Sequence, residues 1–231
     1  MELPASLPAQ LYLLTYNPEK GRMDSRLRSG YLGAALRAAA LLELLHRGRI
    51  TDESGKVVPA PGHPRGAGQG DLVAGAAMLD DPVLTRVLGQ VDGSARHRSW
   101  AHWIGKDTSG STRCARDYLE NGRWLRVDRV RVVGIFPRTT VTVRDTRLVK
   151  TLRADVQHAL RGQTSVDRLD PRLRELAALA ALGELRGLLT WREARGYKAR
   201  VAALTTSLGP TGPALRKVIR AQKAAASAAG A

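Results

Sequence analysis

The stretch Arg28–Ile50, RSGYLGAALRAAALLELLHRGRI, decides how the rest of the chain can fold. Leu32, Leu36, Ala39, Ala40 and Leu44 recur at helical spacing, and Leu41, Leu42 and Leu45 widen the apolar stripe. Ala and Leu are strong helix formers, so propensity and pattern agree over about four turns. Gly48 supplies the stop, with His46 and Arg47 at the negative end of the helix dipole. A helix this apolar has to be buried on most sides, which makes it the central helix of its domain. Arg37 interrupts it near the middle. Two readings of that residue stand open: a guanidinium that snorkels outward or pairs with an acid, and an anion site where a buried helix emerges.

Working outward, the 231 residues suffice for one ordinary domain or two small ones. Hydrophobic residues make up 43% of the chain but aromatics only 4%, so Leu, Ala and Val fill the core. The formal net charge is +16, and 30 of the 37 basic residues are Arg. Such a surface attracts nucleic acid, an anionic bilayer or an acidic protein, and Arg suits bidentate phosphate contacts. It equally suits the codon bias of a GC-rich genome. Cys114 is the single cysteine, which excludes a disulfide framework and a cysteine-built metal cluster and fits a reducing cytoplasm. No secretory leader pattern is visible in Met1–Gln10, and no apolar run is long enough to span a bilayer, so any membrane association is expected to be peripheral.

Along the chain, Leu11–Tyr16 is a short apolar helix turn or strand, and Asn17–Gly21 is a turn by composition. Arg49–Thr51 and Lys56–Val58 flank Asp52–Gly55 as a hairpin. Pro59–Gly70 is a loop whose glycines lack the Lys-Ser/Thr of a phosphate loop. Asp71–Met78 and Pro82–Val91 read as short helices, with Asp81 the N-cap of the second, and capping explains the Asp80-Asp81 pair better than a metal. Trp100 and Trp103 lie on an amphipathic helix ending near Gly105, either as core or as basic-aromatic contacts with Arg96 and Arg98. Thr112–Asn121 is a helix carrying Arg113 and Arg116 at i, i+3, closed by Gly122. Arg129–Arg144 switches to period two, the pattern of a two-stranded hairpin, with apolar Ile135 and Phe136 at its tip. Helices follow over Asp145–Leu160, Pro171–Leu189, Glu193–Leu208 and Ala214–Lys223, before a frayed Ala224–Ala231.

Catalytic and metal signatures are missing. There is no HExxH, GxSxG or P-loop motif, and His97 and His102 are five apart, off a shared helix face. Arg113 and Arg116 beside Cys114 would lower its pKa, but without a His partner the thiol reads as a packing residue.

The order of these features resembles the Golgi phosphoprotein 3 family, in a bacterial-type member. The carrying segments are Leu7…Leu11–Leu14, Ala35-Leu36-Arg37 through Leu41–Leu44 to Arg47-Gly48-Arg49-Ile50, and Gly75…Met78–Leu84. They continue with Trp103-Ile104, Leu119–Gly122, Gly134–Pro137 followed by Asp145, and Asp170-Pro171-Arg172. The resemblance implies a mainly α fold, a single globular helical domain with a protruding β-hairpin, over residues 6–223, between an N-terminal tail at 1–5 and a disordered tail at 224–231. It also implies a cytoplasmic, non-enzymatic protein, peripherally bound to anionic lipid in the way eukaryotic members bind phosphatidylinositol 4-phosphate, without cofactor or metal.

In that reading Arg37 matches the phosphate-contacting arginine, and the family's pocket Trp falls at Arg28. Gapless placement puts the second basic pair of the pocket on Thr108 and Ser111, whereas Arg113 and Arg116 repeat its spacing just downstream. The expectation is placed on Arg37, Arg28, Arg113 and Arg116 for the headgroup and on Ile135 and Phe136 for insertion. Client membrane proteins and a second copy bound through the hairpin are further expected partners. The alternative is a winged-helix-like nucleic-acid binder, suggested by the charge and the helix-then-hairpin outline.

Overall fold

The computed structural model describes residues 2–24, 29–61, 79–132, 136–185 and 187–228. Ser6 caps the first helix, α1 (Leu7–Leu13), accepting from the Ala9 amide at 3.3 Å. A two-residue pair, β1 (Tyr16–Asn17) and β2 (Arg22–Met23), turns the chain into α2 (Ser29–His46). That central helix ends as its sequence predicts. Gly48 takes φ +62°, and the amides of Gly48 and Arg49 bond back to the carbonyls of Leu45 and Leu44 at 3.0 and 2.9 Å.

The hairpin β3 (Ile50–Glu53) and β4 (Lys56–Pro59) follows, and β5 (Arg98–Ser99) adds to its free edge, giving the order β3-β4-β5. Between them lies α3 (Pro82–Asp92), with Asp81 as N-cap holding the Val83 amide at 2.7 Å. Then come α4 (Trp100–Gly105) and α5 (Thr108–Asn121).

The second hairpin is β6 (Leu125–Val132) against β7 (Phe136–Val143), registered from Leu125↔Val143 to Val132↔Phe136. Leu125, Val127, Val141 and Val143 are buried at its base, and Arg126 is exposed between them. The chain finishes with α6 (Thr146–Arg161), α7 (Pro171–Leu182), α8 (Trp191–Gly196), α9 (Lys198–Thr206) and α10 (Thr211–Ala228). The molecule is mainly α, with small antiparallel sheets.

Everything from Leu32 to Leu44 in α2 is buried, and α1, α3, α4, α5, α7 and α10 all pack on it. A helix covered on every side has no face left for a nucleic-acid groove, so α2 with its hairpin does not act as a winged-helix reader. A second layer, α6 and α9, reaches the core through α7.

Several boundaries differ from the sequence reading. The segment expected as one helix to Leu189 stops at Leu182, and Glu184 takes φ +54°. The expected Glu193–Leu208 helix is divided at Tyr197 into α8 and α9. Helix α10 continues beyond Lys223 to Ala228. Helix α5 starts at Thr108, four residues before the periodic signal, because its first turn buries Gly110 and Ser111 instead of apolar side chains. The expected 71–78 helix lies outside the described residues. No helix among the described residues is long and apolar enough to cross a membrane.

Candidate anion site behind a buried arginine

Arg37 is fully buried. Its Nε donates to the Trp103 carbonyl at 2.5 Å, Nη1 to Ser111 Oγ at 3.1 Å and Nη2 to Gln90 Oε1 at 2.8 Å. The three acceptors come from α4, α5 and α3, so one guanidinium ties three helices to the central one. Neither reading left open by the sequence describes this arrangement, since the side chain does not snorkel and no carboxylate touches it. Burial pulls its pKa down to about 10, with Asp107 opposing the shift and Arg86 adding to it. It is still a cation at neutral pH, and its charge is left uncancelled by its direct partners.

The nearest carboxylate, Asp107, stands at the start of α5 with φ +50° and does not cap the helix. Its Oδ2 instead accepts from Arg86 Nε at 2.6 Å and from Gln90 Nε2 at 3.2 Å. Gln90 thus bridges Arg37 and Asp107. The Arg86 hydrogen bond holds the Asp107 carboxyl below the usual carboxylate range, against a smaller opposing effect of burial. A Cβ on Gly110 would sit 2.2 Å from Asp107 Oδ1, so only glycine lets the carboxylate close over the first turn of α5.

Next to it, Lys106 Nζ lies 4.8 Å from the centroid of the Trp103 ring, and the His102 ring meets that indole edge-on at 5.1 Å. Partial burial, followed by the charges of Arg98, Lys106 and Arg37, pushes the His102 imidazole below its ordinary pKa. Arg86 and Arg37 act on Asp107, Arg98, Lys106 and Arg37 act on His102 close by, and Arg86, Lys106 and Arg98 are exposed. A site with this balance suits a ligand carrying more than one negative charge.

The sequence-predicted residues are distributed as follows. Arg37 and Ser111 are in hydrogen-bond contact. Thr108 packs its carbonyl and Cβ against Gly33 of α2, one helical turn before Arg37. Thr108 and Ser111 therefore face α2. Arg113 lies about 200° round α5 from Ser111 and is exposed. Arg116 pairs with Asp117 at 2.8 Å and acts on the Tyr12 hydroxyl of α1, so neither arginine joins the cluster at Arg37. Arg28 and Ile135 lie outside the described residues, as does the side chain of Phe136, whose backbone pairs with Val132. The Cys114 thiol, expected to be pulled down by its arginines, is instead pushed up to about 11 by burial, with Asp81 adding to the shift. Among the described residues no group of His, Cys, Asp and Glu is placed to hold a metal.

Sequence reasoning missed Arg86, Gln90, Lys106 and Asp107. Arg86 and Gln90, four apart on α3, carry the one available signal, a polar i, i+4 pair flanking the apolar face of Val83, Val87 and Val91.

A search among curated proteins returns no match to the chain. A family model does match, described as Golgi phosphoprotein 3 (GPP34), over residues 7–222. The match opens at the first residue of α1 and closes in α10, so it spans the central helix, the Arg37 cluster and both hairpins. The chain belongs to the Golgi phosphoprotein 3 family.

Proposed function

We propose that this protein is a peripheral membrane protein that binds anionic lipid headgroups, and that a headgroup phosphate sits at the rim formed by Arg86, Lys106 and the start of α5. The observation that carries this reading is Arg37, a cation with only neutral direct acceptors, standing behind a rim with more positive than negative charge. Arg37 does not itself reach the ligand in this arrangement. It fixes the wall and holds the potential positive, while the exposed Arg86 and Lys106 make the contact. Asp107 occupies Arg86, so an arriving phosphate competes with that carboxylate for the same donors. The family membership supports the reading, as does the resemblance to members that bind phosphatidylinositol 4-phosphate. Insertion of Ile135 and Phe136 would add roughly 1.5–3 kcal/mol for each side chain fully buried in the bilayer.

The test is flotation with vesicles of phosphatidylcholine alone, or doped with phosphatidylserine or phosphatidylinositol 4-phosphate, with duplex DNA as competitor. The wild type is expected to float with the anionic vesicles and most strongly with the phosphoinositide. Arg86→Gln with Lys106→Gln is expected to weaken the phosphoinositide binding about tenfold or more, since hydrogen bonds from charged groups are worth about 1.5–3 kcal/mol. Equal flotation with neutral and anionic vesicles overturns the proposal, and so does capture by DNA alone.

A further inference from the structure

Helix α10 carries a feature that the headgroup site does not use. Its eighteen residues, TGPALRKVIRAQKAAASA, contain four basic side chains and no acidic one. Leu215, Val218 and Ile219 turn inward, and Arg216, Lys217, Arg220 and Lys223 are all exposed. At 100° per residue Arg216, Arg220 and Lys223 fall within about 60° of one another, with Lys217 at the border nearer Val218. They form a stripe about 10 Å long. Lys223 is paired with Glu184. Arg216, Lys217 and Arg220 have no acidic partner among the described residues. Between and beyond them the exposed positions are Ala221, Ala224, Ala225, Ser227 and Ala228, all too small to keep a flat surface away.

Helix α10 packs on α4, the helix that leads into the candidate site. Val218 packs 3.9 Å from the position a Cβ would take on Gly105, and Gly105 is followed directly by Lys106 of the rim. That contact fixes α10 beside α4 with Val218 turned inward and the stripe on the outer side of the helix.

We propose that the α10 stripe is a second contact of this protein with an anionic bilayer, one that senses surface charge and does not discriminate headgroups. The inference rests on the membrane-binding reading above. A bilayer fits better than nucleic acid because the stripe is short, straight and edged by alanine, and no aromatic or amide side chain is exposed along it to stack on or read a base. Its role is to hold the molecule at the surface while the rim selects a headgroup. A basic residue near an anionic membrane contributes up to about fivefold in affinity, and the contribution is lost within a Debye length.

The decisive variant is Arg216→Gln, Lys217→Gln, Arg220→Gln, compared with wild type by vesicle partitioning over a salt series, on phosphatidylcholine–phosphatidylserine vesicles without phosphoinositide and on vesicles containing phosphatidylinositol 4-phosphate. The triple variant is expected to lose about tenfold or more on phosphatidylserine at low salt and to show a shallower salt dependence. Its preference for the phosphoinositide over phosphatidylserine is expected to stay that of the wild type, with an unchanged melting temperature. If the triple variant melts lower, the single variants Arg216→Gln and Arg220→Gln are each expected to lose about threefold. Wild-type partitioning by the triple variant overturns the proposal while leaving the headgroup reading intact. A loss confined to duplex DNA overturns it in favour of a nucleic-acid surface. Failure of the wild type to bind any anionic vesicle removes both readings together.

Discussion

A buried cation is tolerable only where it finds hydrogen-bond acceptors, and each of the three guanidinium nitrogens of Arg37 has one, a carbonyl, a hydroxyl and an amide. Arg153 repeats the solution elsewhere. It is buried, and it donates to the carbonyls of Leu14 at 2.5 Å, Tyr16 at 3.2 Å and Gly187 at 2.8 Å. In both cases the partner groups were desolvated on the understanding that a guanidinium would arrive. Arg37→Ala is therefore expected to cost about 3–5 kcal/mol of stability, measured by chemical denaturation, since it strands three buried acceptors and leaves a cavity. A loss below about 1 kcal/mol contradicts the role assigned to Arg37.

Asp81 permits a pH test. It is buried, accepts from Ser6 Oγ and from the Val83 amide, and lies near Glu43. Burial raises its carboxyl above the ordinary 3.8, against those two hydrogen bonds. A carboxyl with a raised folded-state pKa binds its proton more tightly in the native than in the unfolded state. Its stabilising contribution is full below pH 3.8 and is lost as pH rises through the folded-state value. Asp81→Asn keeps a capping oxygen but does not ionise, so its stability relative to wild type is expected to improve from about pH 4 to about pH 7. Parallel urea-denaturation profiles across that range contradict the assignment.

At the level of elements, the closest approach in the site is between α2 and the start of α5. A Cβ on Gly33 would lie 2.3 Å from the Thr108 carbonyl oxygen, a backbone atom that has no room to rotate away. Gly33→Ala is expected to destabilise by about 1–3 kcal/mol and to push Ser111 and Asp107 off Arg37 and Arg86. Gly89 on α3 is the control. Nothing lies within 4 Å of its added Cβ, so Gly89→Ala is expected to raise stability by about 0.5–1 kcal/mol through helix propensity. Thermal melts of the two variants moving in the same direction contradict this account of the α2–α5 contact. Helix α1 is held to α2 by a comparable device, the Glu43 carboxylate accepting from the Leu7 amide at 2.7 Å while pairing with Arg47 at 2.5 Å.

For the whole molecule, the proposed membrane face combines a rim that recognises phosphate, a basic helix that senses charge and a hairpin that supplies apolar residues. The hairpin is anchored by Leu125, Val127, Val141 and Val143 at its base. Ile135→Ser with Phe136→Ser is therefore expected to abolish vesicle flotation with little change in melting temperature or in DNA affinity. Strong destabilisation, or a shift from dimer to monomer by light scattering, assigns the pair instead to a packed interface.

Local signals decided much of this protein. The central helix was legible because Leu and Ala at helical spacing, a Gly stop and strong propensity agree over one stretch, and Gly48 closes it as such residues do. Asp81, Asp145 and Asp170 were legible as helix starts, since an N-cap needs only its own next two or three amides. Arg37 was visible as an anomaly, but its fate was not. Whether a guanidinium snorkels, pairs or is enclosed depends on what the neighbouring helices bring, and Gln90, Trp103 and Ser111 are more than fifty residues away in sequence. The same holds for the choice between Ser111 and Arg113 at its side. Both sit on one helix, and only the rotation of α5, fixed by Gly33 against Thr108, turns Ser111 inward and leaves Arg113 in solvent. Spacing along a chain sets which residues share a face, whereas packing between helices sets which face is turned in.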